Sequence, residues 1–380
     1  MTRLMTLLPM ACDGSGPSYT CTSLLLGLKT FGFREELFAA RARVREVGLV
    51  YRLAVPSLLN GLPYRYISKP AAQLIEKRFL TSLQEGDIAY LWPAASLSVY
   101  ETVKKLGLPI FAEGINTRMK YARRILDAAY AAEGLAPTHG ITDARIAEEE
   151  AKLSMTSAIF APSRQVELSL TQTQPPTYSV LSASYGVDLR RKSGMSKERA
   201  GQSTPPVFLF VGWGTIRKGL HQLLRAWEKA RIKGELWIAG SIAPELAELC
   251  GPLLARPSVR CLGFVRNVDD LYRRADAFIL PSFEEGDPLV TYEAATYGLP
   301  IIASPMGAGR MGERTGCFLP VDPTNCESFI EPMMLLADDI EARRHWSQKS
   351  MQAVQGFDWT SVAARRSESF RSFIDTQHRI

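Results

Sequence analysis

A chain of 380 residues is longer than one hydrophobic core ordinarily serves, so two domains are expected. Apolar residues make up 46%, and no window approaches the ~20 apolar residues that span a bilayer; both argue for a soluble globular protein and against a disordered or helical membrane chain. The formal charge is +6, yet no aromatic stacking platform accompanies the basic residues, so a nucleic-acid role is not indicated.

The first apolar run, Arg3-Leu4-Met5-Thr6-Leu7-Leu8-Pro9, is too short for a signal peptide and reads as a first strand. Asp13-Gly14-Ser15-Gly16-Pro17-Ser18 follows as a glycine loop, with a helix expected over about 19–30. Tyr19 stands where the third glycine of a dinucleotide fingerprint belongs, which speaks against such a site. Strands are expected at 87–92 and 109–113, flanking a helix around 96–106. A further helix opens at 148–154, Ala158-Ile159-Phe160-Ala161-Pro162-Ser163 forms a strand and turn, and Tyr185-Gly186-Val187-Asp188 closes the first domain. Residues 189–206 are rich in Arg, Lys, Ser, Gly and Pro without periodicity and read as a linker.

The second half resumes with Val207-Phe208-Leu209-Phe210-Val211-Gly212, an apolar strand ending in glycine. After Trp213-Gly214-Thr215-Ile216-Arg217-Lys218-Gly219 comes a helix with Leu220, Leu223, Leu224 and Trp227 on one face. Arg217 and Lys218 thus occupy a strand-to-helix turn, where cations can neutralise a leaving diphosphate. Taken alone, such a pair is more often simply solvated. Residues 276–280 read as a buried parallel strand closed by Pro281-Ser282. In the following Phe283-Glu284-Glu285-Gly286-Asp287-Pro288-Leu289-Val290-Thr291-Tyr292-Glu293-Ala294, Asp287 reads as an N-cap and Pro288 as the first helical residue. The amides of Leu289, Val290 and Thr291 would then face the carboxyl edge of the sheet, where helix N-termini attract phosphate. Glu285 precedes the helix and Glu293 lies about one and a half turns into it. A diphosphate on amides with a carboxylate on either side for hydroxyl groups is the layout of a sugar nucleotide. The bland alternative makes Glu285 a cap and Glu293 a solvated helix residue.

This stretch resembles the signature of retaining glycosyltransferases with the GT-B fold, family 4 (glycosyl transferases group 1), in which Pro-Ser leads to Glu-Gly-Phe-Gly-Leu and then Glu-Ala. Residues 161–163, 185–188, 207–212, Lys218, 259–265 and 301–310 agree with that family in order. The resemblance implies an α/β chain of two Rossmann-like domains facing each other across a cleft. An acceptor-side domain would span 1–188, a linker 189–206 and a nucleotide-sugar domain 207–356, with 357–380 a last helix crossing back to the first domain. It further implies that Glu285 contacts donor-sugar hydroxyls, that Glu293 contacts the ribose, and that Lys218 and Arg217 neutralise the diphosphate. The backbone around Phe264 and Val265 would border the nucleobase, the loop holding Gly16 would face the cleft, and Gly286, Leu289 and Val290 would complete the donor site. The chain departs from the pattern at three places: Trp213 replaces an Arg, Glu113 a common His, and Asp287-Pro288 the Phe-Gly pair. Glu113 and Asn116 become cleft candidates, or Glu113 pairs with Arg118 or Lys120. Asp287 either selects the donor sugar or is only a cap.

The implied activity is transfer of a sugar from a UDP-, GDP- or ADP-linked donor to a glycan or lipid-linked acceptor, in cell-surface polysaccharide or glycolipid synthesis. No cofactor is expected, and no metal: the four histidines lie far apart and there is no Asp-x-Asp. Six scattered cysteines fit reduced thiols in the cytoplasm. Arg41, Arg43, Arg45, Arg65, Lys69, Lys77 and Arg78 would suit peripheral contact with an anionic membrane. The ordinary reading is solvated faces interleaved with Glu35, Glu36, Glu46 and Glu76. A sugar phosphorylase would need a pyridoxal-phosphate lysine, which does not stand out. A non-enzyme alternative is a degenerate GT-B protein that binds a sugar nucleotide without transfer.

Overall fold

The computed structural model describes residues 2–56, 63–172, 176–192, 205–314 and 316–377. Seven strands form the first sheet: β1 (Arg3–Cys12), β2 (Arg34–Ala42), β3 (Val50–Leu53), β4 (Ile88–Leu91), β5 (Ile110–Glu113), β6 (Ala158–Ala161) and β7 (Ser179–Ser182). Six form the second: β8 (Val207–Val211), β9 (Glu235–Ala239), β10 (Val259–Gly263), β11 (Ala277–Leu280), β12 (Ile301–Ala303) and β13 (Leu319–Pro320). The spatial orders are β3-β2-β1-β4-β5-β6-β7 and β10-β9-β8-β11-β12-β13, and the pairings are parallel. Each order reverses once, between β1 and β4 and between β8 and β11, the doubly wound pattern that leaves a crevice at the carboxyl ends of those strands. Helices cover both faces, so β8 and β11 are buried along their whole length and must be continuously apolar.

The helix after β1 runs Gly16–Thr30, three residues longer than its periodicity suggested, because Pro17 sits in the first turn where no amide is needed. The Asp143–Met155 helix starts before residue 148, at Thr142, whose side chain accepts from the Arg145 amide at 3.3 Å. β2 has no apolar alternation to announce it, since Glu35, Glu36 and Arg41 are all buried in it. Glu36 pairs with Arg52 of β3 at 3.1 Å, and the Arg41 guanidinium lies 4.7 Å from the centre of the Tyr64 ring. Burial pushes the Glu35 carboxyl up to about 7. Arg41 and these glutamates therefore form no solvated or membrane-facing surface. Most of the expected linker, residues 193–204, lies outside the described residues; Leu189–Lys192 form a short 3-10 turn.

The halves are tied together by two crossings. The last helix, Trp359–Gln377, packs on the Gly16–Thr30 helix so closely that a Cβ on Gly27 would run into Ala363. Its Phe370 inserts among Phe33, Tyr90, Phe111 and Phe160, 4.6 Å from the Phe111 ring centre. In the other direction the Met119–Ala132 helix places Leu126, Ala129 and Tyr130 in the core built around the second sheet. Among the described residues no helix is long and apolar enough to cross a membrane.

Candidate functional site

At the switch point of the second sheet the loops after β8 and β11 meet. Thr215 accepts from the Lys218 amide, winding Ile216–Lys218 into one 3-10 turn that ends at Gly219 with φ 70°. Glycine is required there, because a Cβ would strike the Pro281 carbonyl of the β11 loop. The Phe283 amide donates to the Arg217 carbonyl at 2.8 Å, which joins the two loops.

This backbone puts two cations against two carboxylates. The Lys218 ammonium pairs with Glu285, whose Oε1 also accepts from the Ser282 hydroxyl at 2.9 Å. Arg217 reaches the Glu284 carboxylate at 2.7 Å, the Asn116 side-chain oxygen at 3.2 Å and Glu285 at 3.8 Å. Burial alone would raise the Glu285 pKa, but Lys218 and then Arg217 outweigh it and hold it below the ordinary carboxylate value. For Arg217, burial is likewise overcome by Glu284 and Glu285, which keep the guanidinium firmly charged. Glu285 is thus a fixed anion at neutral pH: it accepts hydrogen bonds and has no proton to give.

The helix beyond this cluster is Leu289–Thr296, one residue later than expected, and Pro288 is its N-cap, with no side-chain cap. The Thr291 amide turns back to the Pro288 carbonyl at 3.1 Å, leaving Leu289 and Val290, both half-buried, as the residues whose amides open the helix. Glu293, also half-buried, accepts from the Tyr272 hydroxyl at 3.0 Å. Phe264 and Val265 follow β10 at the same sheet edge, Phe264 82% exposed.

Two expectations are corrected. Asp287 neither caps the helix nor lines the cleft; it is buried and accepts from the Tyr185 amide at 2.7 Å, the Arg310 amide at 2.8 Å and the Tyr292 hydroxyl at 2.8 Å. Arg310 itself reaches the carbonyls of Ala161 and Ala183 and the Glu167 carboxylate, so this constellation clasps the two domains. Burial, only partly offset by these bonds, pushes the Asp287 carboxyl up to about 6. Glu113 does not present its carboxylate to the cleft, nor does it pair with Arg118 or Lys120. Both its oxygens are taken by Arg366 of the last helix, at 2.8 and 2.9 Å, and Tyr90 donates to one of them. Gly286 is pressed onto the first domain, where a Cβ would strike the Ile115 carbonyl. Gly16 has open space in front of its Cα at φ 48°, at the first turn of its helix.

Sequence reasoning missed Glu284, whose carboxylate crosses to the first domain and accepts from both the amide (3.0 Å) and hydroxyl (2.7 Å) of Thr117. Adjacent Glu284 and Glu285 were a visible signal, but which of them points where depends on the pleat of a loop. A cavity of about 650 Å³ opens beside the cluster and extends into the first domain. Trp213, Thr215, Arg217, Lys218 and Glu284 form its second-domain side; Asn116, Thr117 and Met119 lie opposite. Trp213 is 62% exposed there. Among the described residues no cluster of His, Cys, Asp or Glu is arranged to hold a metal ion.

Residues 205–339 match the family model described as Glycosyl transferases group 1. The chain is 32% identical over 163 residues to an uncharacterized glycosyltransferase of Methanocaldococcus jannaschii, covering 41% of this chain and 40% of that protein. It is 29% identical over 219 residues to D-inositol 3-phosphate glycosyltransferase of Kineococcus radiotolerans, covering 49% and 50%. The chain thus spans half or less of the length of these curated relatives. The whole fold is similar to that of sucrose-phosphate synthase from Thermosynechococcus elongatus (TM-score 0.72, 17% identity, 99% of this chain and 100% of that one). It also matches Anabaena HepE solved with UDP and glucose (TM-score 0.69, 13% identity, 98% and 100%).

Proposed function

We propose that this chain, a GT-B protein carrying a glycosyl transferases group 1 domain, is a retaining glycosyltransferase that moves a sugar from a nucleotide-sugar donor to a glycan or lipid-linked acceptor. Cell-surface polysaccharide or glycolipid synthesis on the cytoplasmic side is the setting we favour. The observation that carries the reading is the pairing of Arg217 and Lys218 with Glu284 and Glu285 at the switch point of the second sheet, beside a helix start with no side-chain cap. A diphosphate entering there would draw Lys218 and Arg217 from their carboxylates and rest on the Leu289 and Val290 amides. Glu285 would accept from donor-sugar hydroxyls and Glu293 from the ribose, with the backbone at Phe264 and Val265 beside the base. Gly286 and Asp287 would act by holding the domains shut, not by touching the donor.

In the transfer, the acceptor hydroxyl oxygen bonds to the anomeric carbon as the bond from that carbon to the diphosphate oxygen breaks. The electron pair goes to the diphosphate, whose charge Lys218 and Arg217 neutralise, and the same phosphate oxygen takes the acceptor proton on the same face. Glu285, an anion with no proton to offer, is consistent with that route. The Glu284–Thr117 and Arg217–Asn116 bonds close the domains over the reacting groups and exclude water.

The test is thermal stabilisation by UDP, GDP, ADP and their sugars with EDTA present, in the native chain and in Lys218→Ala and Glu293→Ala. UDP comes first, since HepE was solved with it. Ligand at a hundred times its dissociation constant should add about 2.7 kcal/mol to the folded state. A shift with one nucleotide, abolished by both substitutions, supports the donor site and its independence of metal. No shift with any nucleotide removes it. A shift without turnover over a broad acceptor panel favours a binding protein that has lost transfer.

A further inference from the structure

Two arginines outside the cavity stand without a carboxylate. Arg314 follows the 3-10 turn Arg310–Glu313, and its guanidinium lies 4.6 Å from the centre of the Phe357 ring. Arg365 of the last helix lies 5.7 Å from the centre of the same ring. Arg314 donates to the Gln355 carbonyl at 2.9 Å and Arg365 to the Ser184 hydroxyl at 3.3 Å; among the described residues neither forms an ion pair. The charged groups beside them are engaged elsewhere. Glu313 pairs with Arg310 at 2.9 Å and accepts from the Arg164 amide at 2.9 Å. Asp358 accepts from the Ser361 amide at 3.0 Å and hydroxyl at 2.6 Å, which holds the start of the last helix. Arg366 is taken by Glu113. Partial desolvation, and next the charge of Arg314, lower the Arg365 pKa, and Asp358 opposes them without undoing the shift. Two like charges are thus brought to one ring, with a local surplus of positive charge.

The place is a joint between the halves. Val187 of the first domain bridges to Asp358, and its amide donates to the Phe357 carbonyl at 2.9 Å. The approach is so close that a Cβ on Gly186 would strike that carbonyl and the Trp359 ring. The Phe357 ring packs edge-on against Tyr292 at 5.1 Å, and the Tyr292 hydroxyl donates to Asp287 of the domain clasp. Arg314 belongs to the second domain, Arg365 to the helix that docks on the first. Both are exposed, and neither lines the cavity. Guanidinium groups match phosphate oxygens in pairs, and an anion shared by two of them offsets their repulsion. We propose that Arg314 and Arg365 bind a phosphate group at this joint, carried by free phosphate or by a phosphate monoester, and that the bound anion ties the second domain to the last helix. The inference is independent of the transferase reading.

The test is thermal unfolding at fixed ionic strength, with chloride exchanged stepwise for inorganic phosphate, methyl phosphate or acetate. Phosphate should raise the midpoint along a saturable curve, and singly charged acetate should raise it less. Arg314→Gln and Arg365→Gln should each weaken half-saturation by about tenfold or more, since each removes charge-assisted hydrogen bonds. Lys218→Ala should keep the phosphate curve of the native chain. Methyl phosphate equal to phosphate supports the site and identifies a monoester as its ligand; a weaker methyl phosphate supports the site and identifies the free ion. A rise without saturation, alike in the native chain and both glutamine variants, is the general effect of phosphate salts and overturns the proposal. Loss of the curve in Lys218→Ala alone places the phosphate at the donor cluster and overturns it too. Should Arg365→Gln fail to fold, Arg314→Gln decides alone, since Arg314 lies outside the helices.

Discussion

Two buried ion pairs, one in each domain, look alike on paper and differ in one respect. Glu113 with Arg366 and Glu285 with Lys218 each join a carboxylate in a loop or strand end at a sheet's carboxyl edge to a cation from elsewhere. The side chains of the first pair are 0% and 2% exposed, glutamate and arginine respectively. In the second, Glu285 is 8% exposed but Lys218 is 20% and its neighbour Arg217 34%. A sealed pair cannot change partners, because separating it strands two charges in a dry interior. An open one can trade its carboxylate for a phosphate without leaving either charge unpaired. On the proposed function, the exposure of the cation, more than the burial of the carboxylate, separates the structural acid from the working one.

The largest effect should come from breaking the sealed pair. Arg366→Ala leaves Glu113 buried and unpaired and should cost about 3–5 kcal/mol in urea unfolding. Nucleotide affinity of the protein that remains folded should stay as it was. Near-native stability with lost nucleotide binding would reverse the assignment of the two pairs. Next in size is the open pair. Lys218→Ala should lower transfer by about a hundred- to a thousandfold. Its cost in stability should be smaller than that of Arg366→Ala, because Arg217 and the Ser282 hydroxyl stay with Glu285. A large stability loss with transfer intact would make Lys218 structural.

The same contrast explains what was legible in the sequence. Arg217, Lys218, Glu285 and Glu293 lie in loops and helix starts directly after apolar strands, so strand periodicity and turn chemistry place them at one sheet edge without knowledge of the rest of the chain. Glu113 sits in an equivalent place after β5, but its partner Arg366 is 253 residues away on the last helix, and nothing local announces that pairing. Asp287 failed as a cap for a similar reason: the groups that claim it, Tyr185 and Arg310, come from two other loops. β2 went unread because it carries buried charged residues, of which Glu36 meets Arg52 of β3 and Arg41 the Tyr64 ring, and a linear pattern cannot show such partners. The cavity was invisible too, since Tyr100, Leu126 and Leu170 read as ordinary core until the helices are placed.

Asp287 extends the comparison to a third carboxylate, one with amides in place of a cation at hand. Its folded pKa near 6 lies above the ordinary 3.8, so its contribution to stability is complete below about pH 4 and is lost as pH rises through 6. Asp287→Asn cannot accept from all three donors and should cost about 1–3 kcal/mol. It also removes the titration, so the stability gap between native chain and variant should be widest at about pH 4 and below, shrink as pH rises towards 6 and stay small above it. Unfolding across that range checks the sign; a gap that widens with pH would mean the carboxylate is stabilised as an anion. Donor preference should not change, because the side chain faces the domain clasp.

The smallest effect should come from Trp213, the most exposed member of the open region. It stands where the family places an arginine, and at 62% exposure its ring adds little to the fold. Trp213→Arg should therefore leave stability within about 0.5 kcal/mol of the native chain. If the turn after β8 aims at the diphosphate, a third cation there should tighten nucleotide binding by up to about tenfold, an effect that weakens as salt is added. If instead the ring packs on the acceptor at the cavity mouth, the substitution should leave the nucleotide untouched. Calorimetry with UDP on the one variant separates the two, and it says which side of the open pair this departure serves.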